Sequence, residues 1–402
     1  MPSFADLNLR HLRAVPVIAE HGGISAASSI VHLSQPAVTQ GVAKLEAQLG
    51  RPLFDRRPDG MTPTAEGRML TPRIEAAFGH ITAAVRAVRR PGQGGPQRPD
   101  QLISAAQVRA LLAFAAHGGY AAAAQATGLA QPSLHRAIGD LEALCGVRLV
   151  ERRGRGTALS PAGRRLVRGF RLASAEFDAG LSDLAGASGP ASGRVAVGAL
   201  PLSRSRVVPR AVARFHREHP GVLVSILDGP YPELLERLRD GEVDLVIGAL
   251  RSPAPAADVE QRPLFEDELL IVGRSGHPLA GKPAPSLADA ARYPWIVAHE
   301  GAPMRAQWRA LFAGAKTAPA APVECGSVNA IRGLLLEGDY LTLLSPHQFG
   351  LEAAAGLLAP IGQRLTHTRR TIGLTTRTGW SPSGVQARFL GALIEAAVTE
   401  IE

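Results

Sequence analysis

The 402 residues are enough for two to four domains with separate cores, and no apolar run approaches the roughly 20 residues that span a bilayer. Two cysteines, Cys145 and Cys325, exclude a disulfide framework, and the first residues lack the basic stretch and apolar core of a secretion signal. A reducing cytoplasm is therefore the expected setting, with no membrane partner. The net charge of +9 is uneven: residues 1–100 carry 12 basic and 8 acidic side chains, residues 101–190 carry 10 and 6, and the remainder carries 22 and 21. The excess places a polyanion partner, nucleic acid first, with the N-terminal half.

Leu9, Leu12, Val15, Val17 and Ile18 fall near helical spacing, with Pro16 an awkward interior residue, and His21-Gly22-Gly23 ends the pattern as glycines do beyond a helix C-terminus. Ser25 is placed to cap a short helix from Ala26 to Val31. Ser34 is a good N-cap for a third helix from Gln35 to Leu49, with Pro36 in the first turn where its missing N–H costs nothing. Val38, Val42, Leu45 and Leu49 share the face expected to be buried, leaving Gln35, Ala37, Thr39, Gln40 and Lys44 outside. After Gly50, Leu53-Phe54 anchors a turn at Arg57-Pro58-Asp59-Gly60-Met61 between two short strands. Helix, helix, exposed polar helix and basic hairpin form the layout of a winged helix-turn-helix. Its third helix meets base edges in the major groove, and its wing arginines, here Arg56 and Arg57, meet phosphate or the minor groove.

The same stretch returns at a constant offset of 96 residues: His117-Gly118-Gly119, Gln131-Pro132, Leu141-Glu142-Ala143, Gly146 and Arg152-Arg153. A register kept without insertion marks two copies of one folded unit. In the second copy Ala130 replaces the Ser34 cap. The exposed helix positions become Gln131, Ser133, His135, Arg136 and Asp140, and the wing becomes Arg152-Arg153-Gly154-Arg155-Gly156. Different faces imply different base preferences, or one copy that no longer reads bases.

Each copy is followed by a longer helix with a narrow apolar seam, Leu70, Ile74, Phe78, Ile81, Val85 and Val88 in the first and Leu166, Phe170, Ala173, Phe177, Leu181 and Leu184 in the second. The seams either pack on each other within one chain or pair with a second chain. Linkers rich in Gly and Pro are expected from Pro91 to Pro99 and from Gly186 to Gly193. From Arg194 short apolar strands alternate with helices: Val195 to Leu200, Val207 to His219, Val222 to Leu227, Tyr231 to Asp240, Val243 to Leu250. A second half holds strands at Leu269 to Val272, Trp295 to Val297, Leu341 to Leu344 and Thr371 to Thr375, with helices near Met304 to Ala313, from Ser327 and from Ser383 to Val398. This argues a parallel α/β sheet with a ligand at the carboxyl ends of its strands.

Ser34-Gln35-Pro36-Ala37-Val38-Thr39-Gln40, Leu45-Glu46, Leu49-Gly50, Pro52-Leu53-Phe54, Arg56-Arg57 and Thr64-Ala65-Glu66-Gly67 closely resemble the DNA-binding domain of LysR-type transcriptional regulators. Gly241 to Gly248, Gly276-His277-Pro278-Leu279 and Tyr293-Pro294-Trp295 resemble that family's effector domain, and the stretch from Tyr293 to Arg309 is similar to its branch containing galactose-binding-protein regulators. The resemblance implies a two-lobed effector domain of periplasmic-binding-protein-like α/β fold behind the winged helix-turn-helix unit, and linker helices that dimerise the protein. The family carries one DNA-binding domain per chain, so the tandem departs from it. The expected domains are 5–64 and 101–160 for the all-α winged units, 65–100 and 161–192 for linker helices, and 193–402 for the effector domain, with lobe I about 193–268 and 377–402 and lobe II about 269–376. Candidate DNA contacts are Ser34, Gln35, Pro36, Ala37, Thr39, Gln40, Lys44, Arg56 and Arg57, then Gln131, Pro132, Ser133, His135, Arg136, Arg152, Arg153 and Arg155.

The effector pocket is expected between the lobes, at Leu202, Ser203, Ser205, Tyr231 and Gly248 on one side and His299, Ser327, Val328 and Asn329 on the other, where hydroxyls and helix N-termini suit a carboxylate or sugar hydroxyl. His21 and His117 lack a second ligand at metal spacing and read as turn residues, and Cys325 as a buried structural thiol. No Ser-His-Asp order, phosphate loop, nucleotide fingerprint or HExxH occurs, so no enzyme, metal or cofactor is expected. The partners implied are double-stranded DNA, a small organic acid, sugar or aromatic metabolite, further copies of the chain in a homo-oligomer, and RNA polymerase. The competing readings are a two-lobed solute-binding protein or enzyme, and a regulator in which one repeat is a protein-interaction module.

Overall fold

Asn8 and Ser104 occupy equivalent positions before the first long helix of each repeat. The Asn8 side chain accepts the Arg10 N–H at 3.0 Å, and Ser104 forms a reciprocal box with Gln107. The computed structural model describes residues 2–57, 60–89, 97–154, 156–187, 189, 192–282, 285–315 and 318–398. In it, α1 (Leu9–His21), α2 (Ile24–Val31), α3 (Gln35–Leu49), β1 (Phe54–Arg57), β2 (Gly60–Pro63) and α4 (Ala65–Val88) are matched 96 residues later by α5 (Ala105–His117), α6 (Tyr120–Thr127), α7 (Gln131–Cys145), β3 (Val150–Arg153), β4 (Gly156–Leu159) and α8 (Pro161–Gly186). Gly22 and Gly118 end their helices at φ +71° and +72°, a left-handed turn that residues with a Cβ rarely adopt. The second helix begins sooner than expected: Gly23, extended directly after that turn, is its N-cap, and Ser25 lies inside α2. The expected linkers fall partly outside the described residues, as do the wing residues Pro58, Asp59 and Arg155.

The two seams pack on each other. All twelve of their apolar residues are buried in one core that runs from Phe4 to Leu184 through both repeats. Space for the approach comes from two glycines. A Cβ on Gly169 of α8 would overlap that of Ala84 in α4, and one on Gly180 would lie 2.8 Å from Leu70 Cδ1 and 3.0 Å from Arg73 Cβ. Gly169 is the counterpart of Arg73, and Gly180 that of Ala84. Contact 84 to 169 is therefore the mirror of contact 180 to 73, and the helices run antiparallel about a pseudo-two-fold axis. Nearer the heads the reciprocity holds to within one residue. Arg13 donates to the Asp100 carbonyl and its counterpart Arg109 donates to the Ala5 carbonyl, the latter at 3.1 Å, while residues 6–10 face 102–106 across a cavity of about 460 Å³.

The C-terminal half starts with β5 (Gly193–Ala199), α9 (Pro201–Ser205), α10 (Val207–Glu218), β6 (Val222–Leu227), α11 (Tyr231–Arg239), β7 (Leu245–Ala249) and β8 (Val259–Arg274). It continues with α12 (Leu287–Ala290), β9 (Ile296–Val297), α13 (Pro303–Leu311), β10 (Val323–Glu324), α14 (Val328–Glu337), β11 (Thr342–Leu344), α15 (Pro346–Ala354), β12 (Leu358–Arg377) and α16 (Gly384–Val398). Six strands form one sheet in the order β11-β8-β12-β7-β5-β6. Within this sheet the expected parallel pairing holds for β6, β5 and β7, and outside it β9 pairs parallel with β10; β12 is antiparallel to β7 and β8, and β11 is antiparallel to β8. The reason is that β8 and β12 are long crossings between the lobes rather than steps of a βαβ series.

The lobe boundary moves accordingly. Ile372 and Leu374 sit in the lobe I core with Phe265, whereas Ile361 and Leu365 sit with Trp295 in lobe II, so β12 changes lobe between Leu365 and Ile372, where its register with β8 breaks. Residues 371–375 thus belong to lobe I and not to lobe II as expected. At this crossing the buried Asp267 accepts from Arg370 Nε at 2.8 Å and from the Ser345 hydroxyl at 2.5 Å. Among the described residues no helix is long and apolar enough to cross a membrane, and no group of His, Cys, Asp or Glu is placed to hold a metal ion.

Candidate nucleic-acid interface and effector cleft

Helix α3 is held from both ends. Ser34 Oγ accepts the Ala37 N–H at 3.4 Å, and Glu46, near the other end of α3, accepts the backbone N–H groups of Leu53 at 2.8 Å and Phe54 at 3.1 Å where the chain enters the wing. Glu142 makes the same two bonds, at the same lengths, to Leu149 and Val150. A carboxylate accepting two backbone donors fixes wing to helix by charge-assisted bonds, which explains the Leu-Glu pair in both repeats. Thr64 and Ser160 complete the unit, each capping the following helix while donating its hydroxyl to the carbonyl of Pro52 at 2.8 Å or Arg148 at 2.7 Å.

Of the expected contacts in the first repeat, Gln35, Pro36, Gln40, Lys44, Arg56 and Arg57 are exposed, and Ala37 and Thr39 are half-buried. Thr39 donates to the Gln35 carbonyl at 2.9 Å, leaving its oxygen only accepting capacity, and Gln35 Nε2 donates to Ser25 Oγ at 3.3 Å. In the second repeat Gln131, Pro132, Ser133, His135, Arg136, Arg152 and Arg153 are exposed. Ala130 leaves α7 without a side-chain cap, as the sequence implies; Thr127 donates elsewhere, to the Ala123 carbonyl. The His135 ring stacks on Tyr120 at 3.5 Å and 18°, and Tyr120 meets Phe114 edge-on, so this face is stiffened by rings where the first repeat has Thr39, Ile24 and Ile18. The wings differ too. The Met61 N–H donates to the Gly22 carbonyl at 2.8 Å, pinning the first wing to α1, and a Cβ on Gly60 would strike that carbonyl, whereas one on its counterpart Gly156 would meet nothing within 4 Å.

In the two-lobed domain the expected pocket residues separate. Ser203 is fully buried and donates to the Ile247 carbonyl at 3.2 Å, and Leu202 and Gly248 are buried beside it, so these three hold α9 onto β7. In this structure they serve as packing residues, where an exposed pocket lining was expected. The residues after a strand become a short helix, and its inner face points at the sheet. Ser205 is half-buried and donates to the Pro201 carbonyl at 3.4 Å. Tyr231 opens α11 with the Arg251 guanidinium 4.6 Å above its ring, and burial, the largest influence, raises the pKa of its hydroxyl, which lies near Thr375.

On lobe II, Ser327 is exposed and caps α14 through the Ala330 N–H, Val328 is half-buried, and Asn329 is exposed and accepts from Arg332 at 3.3 Å. His299 is exposed beside Gly326, its Nδ1 3.9 Å from Glu324. Sequence reasoning missed Arg251 and also Arg305, whose largely buried guanidinium lies 3.2 Å from Glu324 and 3.4 Å from Glu300. Their partners are set by tertiary contacts, and no local spacing announces them. Cys325, expected to be buried, is half-buried, with its Sγ 3.6 Å from the Ser327 carbonyl.

Also missed was Arg73. It donates to Glu176 at 2.9 Å and Asp183 at 3.2 Å on α8, and to the carbonyls of Ser381 at 2.7 Å and Pro382 at 3.1 Å just before α16. One side chain thus ties both long helices to the effector domain. Arg168 and Arg171 add ion pairs to Glu236, Asp240 and Glu242.

The family model for the LysR substrate binding domain matches residues 188–398, and that for the bacterial regulatory helix-turn-helix protein, lysR family, matches twice, at 9–68 and 105–164. The HTH-type transcriptional regulator GalR of Pseudomonas putida is 35% identical over 396 residues, 98% of each chain, so that match runs through both repeats. The SDS degradation transcriptional activation protein of a Pseudomonas species is 32% identical over 293 residues, 72% of this chain and 95% of that protein. Among solved structures, a full-length OxyR variant from Pseudomonas aeruginosa superposes with a TM-score of 0.55 at 22% identity, over 73% of this chain and 93% of that one. The LysR family regulator CbnR gives 0.50 at 22%, over 72% and 98%, which speaks to the fold alone.

Proposed function

The chain belongs to the LysR family, a DNA-binding transcriptional regulator controlled by a small-molecule effector and not an enzyme, and from that premise we propose which residues do the work. DNA is read by the N-terminal ends of α3 and α7, through Gln35, Thr39 and Gln40 in one and Gln131, Ser133, His135 and Arg136 in the other. Lys44 and the wing arginines Arg56, Arg57, Arg152 and Arg153 neutralise phosphates; Arg155, outside the described residues, extends the same series. The observation that carries this reading is the doubled unit of an outward-facing polar helix start, capped by Ser34 in the first copy, locked in both copies by a glutamate to an arginine-bearing wing.

The effector is proposed to be a small organic acid, held between the lobes by the Tyr231 and Arg251 pair on one side and by His299, Ser327 and Asn329 on the other. The exposed start of α14 supplies N–H groups and the positive end of a helix dipole, and Arg251 supplies a cation over an aromatic ring. The site of action is the cytoplasm, where the DNA is, and RNA polymerase is the natural recipient of the response. Because the apolar seam is consumed within one chain, any homo-oligomer uses another surface.

The test is a thermal-shift screen of small organic acids, followed by DNA binding with and without the hit. An acid at a hundred times its Kd should stabilise the fold by about 2.7 kcal/mol, alter DNA affinity and be recovered unchanged, and Ser327→Trp should abolish the response while DNA binding persists. An unchanged titration by Ser327→Trp would move the pocket elsewhere, and consumption of the acid at an enzymatic rate would overturn the assignment.

A further inference from the structure

We propose that a single chain is a complete two-headed reader, and that its DNA partner is a duplex carrying two unlike half-sites, one for each reading helix, spanned by one copy. The proposal rests on the assignment of α3 and α7 as reading helices and adds the stoichiometry and the asymmetry of the target.

Three observations carry it. The contacts between the repeats are reciprocal about a pseudo-two-fold axis: Ala84 on Gly169 mirrors Gly180 on Arg73, and Arg13 reaches the Asp100 carbonyl as its counterpart Arg109 reaches that of Ala5, one residue beyond the counterpart of Asp100. Two heads related in this way match two half-sites related by a two-fold of the duplex, spaced by about one helical turn or a multiple of it.

The seam, moreover, fits its partner within the chain and does not fit a copy of itself. Each close approach has a glycine on one side. If α4 paired with α4 of another chain in this geometry, Arg73 would stand where Gly169 stands, its Cβ overlapping Ala84. Ala84 would stand where Gly180 stands, 2.8 Å from Leu70 and 3.0 Å from Arg73. Cores are close-packed and do not absorb such overlap without moving the helices apart. Pairing within the chain is the arrangement these residues select.

Finally, the two faces are chemically unlike. Gln35 and Gln40 offer amides, which suit adenine N6 and N7, whereas Arg136 offers a guanidinium, which suits guanine O6 and N7, beside a His135 ring held by Tyr120. The effector domain adds to the asymmetry. It is tied to α4 through Arg73, whose counterpart is Gly169, and to α8 through Arg168 and Arg171, whose counterparts are Pro72 and Glu75, so the two heads are joined to it by different contacts. Two half-sites under one effector domain, read by different residues, cannot form a perfect palindrome.

The experiment is a selection of duplexes from a random library by the full-length chain, with the bound stoichiometry read by analytical ultracentrifugation. The expected motif has two different half-sites at fixed spacing and one chain for each such pair. Arg136→Ala should relax base choice in one half only and weaken binding about 5- to 100-fold, and Gln35→Ala should do the same to the other half. Both side chains are exposed, and unchanged melting confirms the fold of the variants. A palindromic motif occupied by two chains, or a motif indifferent to Arg136→Ala, overturns the proposal while leaving the DNA-reading assignment standing. If no duplex is enriched, that assignment falls and this inference falls with it.

Discussion

Cys145 closes α7 in the position that Leu49 fills in the first repeat, fully buried in the shared core. Burial, opposed by Arg89, pushes its thiol from an ordinary 9.0 up to about 11. The sign follows from which state holds the proton. Between those values the folded chain keeps the proton that the unfolded chain has released, so the stabilisation is fully present below pH 9 and is lost as pH rises toward 11. The full effect is on the order of 3 kcal/mol. Cys145→Ala should therefore melt at a lower temperature than the parent at pH 8, because a cavity is left, and the gap should narrow as pH approaches 11. A gap that stays constant over that range would mean that the thiol titrates normally. Several residue roles were open to sequence reasoning because they are local. The Ser34 cap, the missing cap at Ala130 and the buried face of α3 depend on neighbours within one or two turns. Glu46 and Arg73 were not open to it, because their partners are seven to several hundred positions away.

At the scale of elements, the narrow seams of α4 and α8 were legible as a period, but not which partner each would take. An apolar stripe says only that something must cover it. What decides is Gly169 and Gly180, whose importance appears only once the helices are side by side. The same limit explains the strands that were missed. Segments 259–268 and 358–370 alternate irregularly between buried and exposed residues, because β8 and β12 pass from one lobe to the other with breaks in register, and no single period describes them. The glycines offer a test in which one substitution has two signs. Gly139 on α7 has open space around it, so Gly139→Ala should stabilise by about 0.5–1 kcal/mol through helix propensity alone. Gly169→Ala gains the same term but drives a methyl into Ala84, and overpacking of that kind costs about 1–3 kcal/mol, so the net change should be destabilising. Urea midpoints for the two variants would show it. A stabilised Gly169→Ala would mean that α4 and α8 do not approach each other so closely at Ala84.

At the scale of the whole molecule, the chain divides by cores and not by repeats. One cluster runs from Phe4 to Leu184, with Phe4 itself 5.9 Å from the Phe78 ring on α4 and 5.8 Å from the Phe177 ring on α8, while separate clusters beginning at Val195 serve the effector domain. Each repeat with its own long helix is therefore half a core. Residues 2–187 should fold as a monomer without the effector domain. The ion pairs from Arg168 and Arg171 that would be lost are partly exposed and worth little each, and Arg73 would keep Glu176 and Asp183 while its two carbonyl partners gave way to water. Residues 2–89 have no such refuge. They would expose Leu70, Ile74, Phe78, Ile81, Val85 and Val88, strand Arg73 without either carboxylate, and meet the overlap at Ala84 if two copies tried to pair. Light scattering and thermal melts of the two fragments decide the matter. The longer should be monomeric, melt cooperatively and hold the duplex selected by the full chain, and the shorter should aggregate or melt without a transition. A monomeric, cooperatively melting 2–89 would show that each head is a domain in its own right, and that the helix pair is a later docking event and not the common core.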